Sequence, residues 1–475
     1  MQSTLKIGLF GIGLDAYWPQ FEGLKQRLDG YLNVVHQRLL VLHSKVINAG
    51  LVDTADRAFE TASLFRREEV DLIFLYVTTY ALSSTVLPVV QKAKAPVIIL
   101  NLSPQEAIDY DSFNSMNDRT KMTGEWLAFC SPCPVPEIAN VFNRTGIRFH
   151  QITGLLKEDD ACWTEVKEWI DATRVAHIMA YNRLGCMGHY YSGMLDIYTD
   201  FTQQYKYFGG HIELIEVEEL VALRKQVSNQ QIKDRIEFFY SSLDIQDDCD
   251  HEELKKAAIT SVALDKLVEQ YSLGSMAYYY KGTGNKENED AIASIILGNS
   301  LLTARGIPVA GEYEIKNVQA MKIMDSFGAG GSFTEFYAMD FKEDVVLMGH
   351  DGPGHIAIAE GKTKVRPLQV YHGKVGSGLS VEMSIKNGAA TLLSVVDKPD
   401  GTLMLLIAEG ESVPGPILQI GNTNSRYKFS IGARRFVNEW SSHGPAHHCA
   451  VGLGHISSKL FKLGSLLNME VVKVC

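Results

Sequence analysis

Residues 6–13 read KIGLFGIG, a short apolar run that ends in glycines. Such a run is typical of a strand that is buried on both faces of a parallel sheet. An amphipathic stretch around Phe21 to Leu28 follows it, and similar strand signals recur at Val70 to Val77 (VDLIFLYV) and at Pro96 to Leu102 (PVIILNL). Strands that alternate with helices in this way predict a parallel sheet covered by helices.

A second series of strand and helix signals follows a predicted helix at Trp163 to Thr173. It begins at His177 to Tyr181 (HIMAY) and continues through strand candidates at His211 to Val217 and Ser275 to Tyr280. The charged region from Ile232 to Tyr271 is typical of a solvated helix–loop–helix rather than of a ligand site. These patterns predict a second α/β domain.

The last third of the chain has a different pattern. Beyond residue 326, short strand-like runs are separated by glycine, asparagine or aspartate, as turns between strands require. The runs are Phe341 to Met348, Pro367 to Tyr371, Leu379 to Ile385, Ala389 to Val396 and Thr402 to Glu409. We therefore predict two parallel-sheet α/β domains, at residues 1–174 and 175–326, and a β-rich, barrel-like C-terminal domain at residues 327–475.

The composition excludes several classes of protein. The chain has 475 residues, of which 46% are hydrophobic and 21% charged, and this is typical of a globular protein with two or three domains. Its formal net charge of -11 leaves no basic excess for binding nucleic acid. No apolar run approaches the roughly 20 residues that cross a bilayer, and the N-terminus lacks a signal-peptide pattern. We expect a cytoplasmic enzyme that binds neither nucleic acid nor membrane.

Seven cysteines are scattered along the chain without a regular framework, which indicates reduced thiols. Cys130 and Cys133 form a CxxC motif, for which zinc binding and redox chemistry are the usual functions. Because no second CxxC completes a zinc site, a structural or incidental role is the favoured interpretation of this motif.

The first strand ends in Gly11-x-Gly13-x-x-Ala16, which formally matches the relaxed dinucleotide-binding fingerprint. However, Tyr17 and Trp18 crowd the place where backbone amides should meet a pyrophosphate. A tight strand-to-helix turn is therefore the favoured interpretation, and a NAD(P)-dependent oxidoreductase is the alternative. The two aromatic side chains also follow the end of a strand, where open α/β sheets bind ligands.

Three side chains that can bind a metal stand beside glycine between residues 309 and 350. They are Glu312, Glu335 and His350. A further group of three histidines lies far downstream, in the segment 443–448. Two carboxylates with one or two imidazoles suit Mn2+, Mg2+ or Co2+ better than a thiolate-rich structural zinc site. Such a set can also move protons on a substrate whose carbonyl group a metal polarises.

The segment that holds these residues resembles the L-arabinose isomerase family, which is related to the L-fucose isomerases. The matching landmarks occur in the family's order and at about its spacing. They are Ala310-Gly311-Glu312, Gly330-Gly331-Ser332-Phe333-Thr334-Glu335, Val346-Leu347-Met348-Gly349-His350 and Ala446-His447-His448. The resemblance extends over the whole chain, which looks like a divergent member of the family. It implies two Rossmann-like domains followed by a β-rich domain.

The resemblance also implies a metal site and its chemistry. In the family, the corresponding two glutamates and two histidines bind a divalent metal, commonly Mn2+. This assigns the metal here to Glu312, Glu335, His350 and His448. The two glutamates would also be the catalytic acid–base pair, and His447 would orient one of the ligands.

The reaction implied by the resemblance is the isomerisation of an aldose to a ketose through an ene-diol, on a pentose or (deoxy)hexose such as L-arabinose. Family members form trimers or hexamers with active sites where subunits meet, so the resemblance implies a homotrimer or homohexamer. It assigns substrate contacts to Tyr17, Trp18, Met187 and Tyr279. A non-catalytic sugar-binding protein on the same scaffold is a second alternative.

The neighbours of the implied ligands depart from the family. Gly-Glu-Gly-Asp is usual where this chain has Gly311-Glu312-Tyr313-Glu314, and Gly-Ser-His is usual where it has Met348-Gly349-His350. Because the ligands are kept while their surroundings change, the sequence predicts the type of reaction and leaves the sugar open.

Overall fold

The computed structural model describes residues 4–368 and 377–475. Residues 369–371 of the strand predicted at Pro367 to Tyr371 therefore lie outside the described residues. The chain divides into two compact units, Met1–His177 and Ile178–Cys475. Beside this division, the three predicted domain ranges stay a prediction. Within the described ranges, no helix has both the length and the apolar composition needed to cross a membrane.

The first unit contains a parallel sheet of five strands. The strands are β1 (Ile7–Ile12), β2 (Val46–Val52), β3 (Leu72–Val77), β4 (Val97–Ser103) and β5 (Phe149–Leu155). Their order is β2-β1-β3-β4-β5, so that β1 and β3 lie inside the sheet. Every residue of β1 and β3 is buried, which explains why the sequence of both strands is apolar throughout.

Helices alternate with these strands, as the sequence predicts. They are α1 (Leu24–Leu42), α2 (Ala55–Glu68), α3 (Ser83–Ala93), α4 (Tyr110–Ser115), α5 (Arg119–Leu127), α6 (Val135–Thr145) and α7 (Asp160–Ala180). The strand expected at His177 to Tyr181 is wrong, because α7 continues to Ala180. Val175 and Met179 are buried four residues apart, on one face of α7, so this apolar segment is the last turn of a helix.

The second unit begins with another parallel sheet. Its α/β part contains the strands β6 (Arg183–Gly188), β7 (His211–Ile215), β8 (Asp244–Ile245), β9 (Ser275–Tyr279) and β10 (Val309–Ala310). The helices are α8 (Phe201–Phe208), α9 (Val217–Arg224), α10 (Asn229–Ser242), α11 (His251–Tyr271), α12 (Lys286–Ala293), α13 (Ile296–Ala304) and α14 (Ile315–Ser326). Four of the strands form a parallel sheet in the order β10-β9-β6-β7. The charged region forms α10 and α11, so the predicted helix–loop–helix is confirmed.

The C-terminal part is a barrel. Its strands are β11 (Gly330–Asp340), β12 (Val345–His350), β13 (Lys364–Leu368), β14 (Gly378–Glu382), β15 (Gly388–Asp397), β16 (Leu403–Val413), β17 (Thr423–Phe429), β18 (His448–Leu453) and β19 (Glu470–Lys473), with helices α15 (Ala433–Ser442) and α16 (Ser457–Leu467). Six antiparallel strands follow the order β15-β18-β11-β12-β17-β16, and β16 pairs with β15 to close the ring. β19 adds to β16 in parallel, while β13 pairs with β14 and β8. The predicted fold class is confirmed.

Helix α14 links the parallel sheet to the barrel, because it packs against β9 and β10 and against β11, β15 and β18. All residues from Ile315 to Met324 are buried, including two lysines. The Lys316 ammonium pairs with Asp397 at 3.0 Å, and that of Lys322 donates to the Gly306 carbonyl at 2.8 Å. These partners compensate the burial of charge, so that a polar helix can occupy the interior.

Candidate metal centre

Glu312 lies in a strained turn between β10 and α14. Glu312 and Tyr313 have φ angles of 58° and 64°, in the left-handed region that favours glycine. The Tyr313 amide donates to the Tyr278 carbonyl at 3.0 Å, and the Glu314 amide donates to the Gly311 carbonyl at 3.0 Å. Two such residues in sequence store on the order of 1–3 kcal/mol each. The turn therefore fixes the point from which the Glu312 side chain extends, at the start of a buried helix.

Three adjacent barrel strands place the other predicted ligands. Glu335 on β11 lies opposite His448 on β18 and, on its other side, opposite Gly349 on β12. His350 is the next residue along β12. A Cβ atom on Gly349 would lie 1.8 Å from the Thr423 carbonyl oxygen, so only glycine permits β12 and β17 to approach this closely. The glycine beside the histidine is thus a packing requirement of the barrel.

The two predicted histidine ligands surround one phenylalanine ring. Phe333 lies 4.3 Å, between ring centroids, from both His350 and His448, and the two imidazoles are 5.0 Å apart. Both histidines are buried. The Phe333 ring therefore limits the movement of both imidazoles, which holds their nitrogen atoms in place before any ion binds.

Glu312, His447 and His448 bring one potential ligand atom each to within 4.8 Å of one another. The Glu312 carboxylate Oε2 lies 3.6 Å from His448 Nε2 and 3.7 Å from His447 Nε2. Glu335 and His350 are outside this group of three, although both adjoin His448 through strand pairing or ring contact. The structure therefore brings Glu312 close to His448 and, at a similar distance, to His447, and it places Glu335 and His350 next to His448.

Glu314 contacts His448 on the side of the imidazole ring opposite Glu312. Its Oε2 atom lies 2.5 Å from His448 Nδ1, which leaves Nε2 on the side of Glu312. Burial raises the pKa of the Glu314 carboxyl to about 8. Burial also lowers the pKa of His448 to about 3, against the opposing effect of Glu312. His448 is consequently a neutral imidazole with a fixed orientation, the form in which histidine binds metals.

Asp196 holds His447 in the same manner. Its carboxylate lies 2.6 Å from His447 Nδ1 and accepts the His447 backbone N–H at 2.9 Å. The ammonium of Lys316 donates to the Asp196 carbonyl at 2.6 Å and anchors this residue to α14. Burial lowers the pKa of His447, but the hydrogen bond and the charge of Asp196 outweigh it and the pKa is raised. A positive charge is thereby favoured beside Glu312.

Glu335 has a carboxyl group that is poised for proton transfer. Burial raises its pKa to about 7; the nearby carboxylates Glu312, Asp351 and Glu314 raise it further, and His447 opposes them. A carboxyl with a pKa near neutrality can both take up and release a proton at physiological pH. This property fits the acid–base role that was predicted for Glu335.

The predicted substrate contacts have different environments. In the first unit, Tyr17 packs edge-on against Phe21, and the Trp18 indole donates to Asp53 at 2.8 Å. In the second unit, Tyr279 is buried against Tyr191 and His189. Met187 is completely buried in the hydrophobic core around the four-stranded sheet, where its side chain serves packing.

Sequence reasoning missed two residues of the centre, Glu314 and Asp196. Glu314 stands two residues after Glu312, and its place in a landmark that departs from the family was a usable signal. Asp196 lies in a short 3-10 turn, and 251 residues separate it from His447. No local pattern reveals a contact over that distance.

The glycine turn after β1 does not resemble a dinucleotide site. A 3-10 turn at Asp15–Tyr17 follows the strand, and α1 begins only at Leu24. The Trp18 ring would lie 2.8 Å from a Cβ atom on Gly13, so the indole fills the space beside this glycine. A dinucleotide site needs a helix N-terminus directly after the glycines. The favoured interpretation of a tight turn agrees with this geometry.

Comparison with known proteins identifies the barrel. Residues 330–470 match the model of the L-arabinose isomerase C-terminal domain. A search of curated proteins finds no match to the chain. The matched residues include Glu335, His350, His447 and His448, while Glu312 precedes them. The family model thus covers the strands that carry most of the centre, and residues 330–470 are similar to the C-terminal domain of L-arabinose isomerases.

Proposed function

We propose that this protein is a divalent-metal-dependent aldose–ketose isomerase, with Glu312, Glu335, His350 and His448 as its metal ligands. The observation that carries the proposal is the convergence of Glu312 with His448, whose Oε2 and Nε2 atoms lie 3.6 Å apart, beside Glu335, which lies opposite His448 in the barrel. This convergence occurs in a chain whose barrel matches the L-arabinose isomerase C-terminal domain. The family supports a sugar isomerase, and the geometry supports metal binding.

The donor atoms of this centre fit a divalent cation. They are carboxylate oxygens and imidazole nitrogens, a set that suits Mn2+ and also Mg2+ or Co2+. His448 Nε2 is buried and has no hydrogen-bond partner among the described residues, so a cation would satisfy it. When bound, the cation would polarise the carbonyl and hydroxyl oxygens of an open-chain sugar and stabilise the negative charge that develops.

The two glutamates would carry the protons. One carboxylate takes the proton from the carbon next to the carbonyl group, which gives an ene-diol, and returns it to the neighbouring carbon. The other carboxyl helps to move the hydroxyl proton. The pKa of about 7 for Glu335 supports its part in this pair. His447, held by Asp196, supplies positive charge close to Glu312 while these protons move.

The match to the C-terminal domain supports a sugar as the substrate. We propose a pentose or (deoxy)hexose such as L-arabinose as the substrate, in a cytoplasmic homotrimer or homohexamer. The rings of Tyr279 and Tyr191 contact each other at 4.6 Å between centroids, and the Tyr191 amide donates to the Glu312 carbonyl at 3.4 Å. These aromatic side chains therefore lie on the segments that adjoin Glu312. Tyr313 stands where the family pattern has glycine. The sugar specificity of this protein can therefore differ from that of other family members.

Substitution of the glutamates tests the proposal directly. Glu312→Gln and Glu335→Gln keep the side-chain shape but remove the acid–base group, so we expect the rate of ketose formation to fall at least ~100-fold. The control is Glu411→Gln, an exposed position on β16 of the same barrel, which should keep full activity. Activity is measured with Mn2+ on a panel of pentoses, hexoses and 6-deoxyhexoses, and circular dichroism checks the fold.

Several outcomes would contradict this function. Near-wild-type activity in a folded Glu312→Gln or Glu335→Gln variant would remove the assignment of the acid–base pair. Isomerase activity that survives treatment with EDTA would contradict the proposed dependence on a metal. Sugar binding without turnover on every member of the panel would favour the non-catalytic binding protein instead.

A further inference from the structure

The CxxC segment of the first unit has no part in the proposed isomerase chemistry. Cys130-Ser131-Pro132-Cys133 joins the end of α5 to the start of α6, and the Cys133 amide donates to the Cys130 carbonyl at 3.3 Å. A hydrogen bond of this kind closes a four-residue turn, which keeps its first and last Cα atoms within about 7 Å. Disulfides in proteins span Cα separations of roughly 4.4–6.8 Å. The backbone is therefore already folded for a bond between the two sulfurs.

The two thiols are in contact but differ in exposure. The Cys130 and Cys133 side chains form a hydrogen bond with each other. Cys130 is 3% exposed, whereas Cys133 is exposed to solvent. Dithiols that exchange with other disulfides need this asymmetry, because one sulfur must meet the external partner and the second must be held close behind it.

The surroundings of the pair assign a different role to each cysteine. Cys133 is exposed and stands two residues before Val135, where the 11-residue helix α6 begins, so that an external disulfide can reach its sulfur. Cys130 lies deeper, where its sulfur accepts the backbone N–H of Tyr80, and burial raises its pKa to about 12. Cys133 is thus placed to attack, and Cys130 is placed to complete the exchange.

We propose that Cys130 and Cys133 form a reversible dithiol–disulfide pair that exchanges with low-molecular-weight disulfides. The Cys133 thiolate attacks one sulfur of the external disulfide, forms a mixed disulfide and releases one thiolate. Cys130 then attacks the Cys133 sulfur, its proton passes to the departing sulfur, and the second external thiol leaves. Two protein thiols are oxidised to one disulfide while one external disulfide is reduced to two thiols.

The pair lies close to two tyrosines that follow strands of the first sheet. The phenol groups of Tyr17 and Tyr80 interact electrostatically with Cys133, and that of Tyr17 also interacts with Cys130. Tyr17 follows β1, and Tyr80 follows β3. The dithiol therefore adjoins the carboxyl ends of β1 and β3, at the edge of the first sheet where α/β sheets bind ligands.

The test uses the full chain in buffers of reduced and oxidised glutathione. Free thiols are alkylated after equilibration, and peptide mass mapping identifies each cysteine's state. We expect a Cys130–Cys133 disulfide that dithiothreitol reverses. We also expect Cys130→Ser to accumulate a stable glutathione adduct on Cys133, because no second thiol remains to displace it. Cys133→Ser should form neither product at residue 130. The control, Cys162→Ser, removes another buried cysteine of the same unit and should leave the pair unchanged.

The mapping of the wild-type chain keeps the proposal falsifiable even where a variant fails to fold. If both cysteines remain alkylatable in oxidised glutathione, the exchange does not occur and the proposal is overturned. A stable glutathione adduct on Cys133 of the wild-type chain would overturn it as well, since Cys130 would then be unable to displace the adduct. Neither result bears on the isomerase activity, so the two proposals fail separately.

Discussion

Glu314 is a buried carboxyl group that the proposed function uses only through another residue. It holds Nδ1 of His448 at 2.5 Å, and so directs Nε2 toward Glu312. Partners of this kind fix the tautomer and direction of a histidine ligand, and their loss lowers metal affinity about 10–100-fold. We therefore expect Glu314→Gln to weaken Mn2+ binding by that factor, measured by calorimetry on the folded protein. The exposed variant Glu411→Gln should bind Mn2+ as the wild type does.

The same residue makes a pH dependence testable. Because burial raises the pKa of Glu314 to about 8, its carboxyl is largely protonated at neutral pH. A cation on His448 would favour the ionised carboxylate, so Mn2+ affinity should rise as the pH increases through about 8. Glu314→Gln should lose this part of the rise. If this variant binds Mn2+ with wild-type affinity and wild-type pH dependence, Glu314 does not position His448.

At the scale of the element, the turn between β10 and α14 combines a strained backbone with a buried aromatic side chain. The family pattern has glycine where this chain has Tyr313, and Tyr313 adopts a φ of 64° that suits glycine. Its ring, however, is buried and packs 4.9 Å from Tyr190 between centroids. Packing of the aromatic side chain therefore stabilises a conformation that the backbone alone disfavours.

A pair of substitutions separates these two effects. Tyr313→Ala and Tyr313→Gly remove the same aromatic packing, but only glycine adopts the left-handed conformation without strain. We expect the glycine variant to be the more stable of the two by roughly 1 kcal/mol, although glycine is usually the less stable choice. The measurement is the midpoint of chemical denaturation, compared between the two variants. An alanine variant that equals or exceeds the glycine variant would show that the turn is not strained.

The elements differ in how far the sequence predicts them. The central strands β1 and β3 are apolar throughout, so the order of their residues is enough to identify them as buried strands. Helix α14 has no such pattern, because it is buried on all sides and carries Lys316 and Lys322 on the buried surface. An amphipathic period exists only where one face meets water. A helix that links a sheet to a barrel lacks that asymmetry, and the sequence did not reveal it.

At the scale of the whole molecule, the candidate centre joins residues that are far apart in the chain. Glu312 directly follows Gly311, Glu335 follows the glycine-rich run 328–331, and both match family landmarks, which made them predictable. The partnership of Asp196 with His447 spans 251 residues and depends on how the loop after β6 meets the barrel. Such a contact is a property of the tertiary fold, so sequence reasoning could name His447 as an orienting residue but not its partner.

Assembly is the remaining prediction at this scale. If active sites form where subunits meet, Tyr17 of one subunit serves the glutamates of its neighbour, as the family resemblance implies. Tyr17→Ala and Glu335→Gln would then each inactivate the enzyme through a different half of the same site. Subunits of the two variants, dissociated and reassembled together in equal amounts, would restore some sites. In an equal mixture, half of the sites receive an intact Tyr17 and half receive an intact Glu335. Both are intact in about one quarter of the sites, so about one quarter of full activity should return.

This complementation restores activity only if each site takes residue 17 and residue 335 from different subunits. In a site built within one chain, every subunit of the mixture carries one defect, and all sites stay inactive after reassembly. Light scattering of the same samples should give three or six times the 52.7 kDa mass of the chain. A monomer, or a mixture that stays inactive, contradicts shared sites. Full activity of Tyr17→Ala alone contradicts the part assigned to Tyr17, because the side chain is then dispensable wherever the site is built.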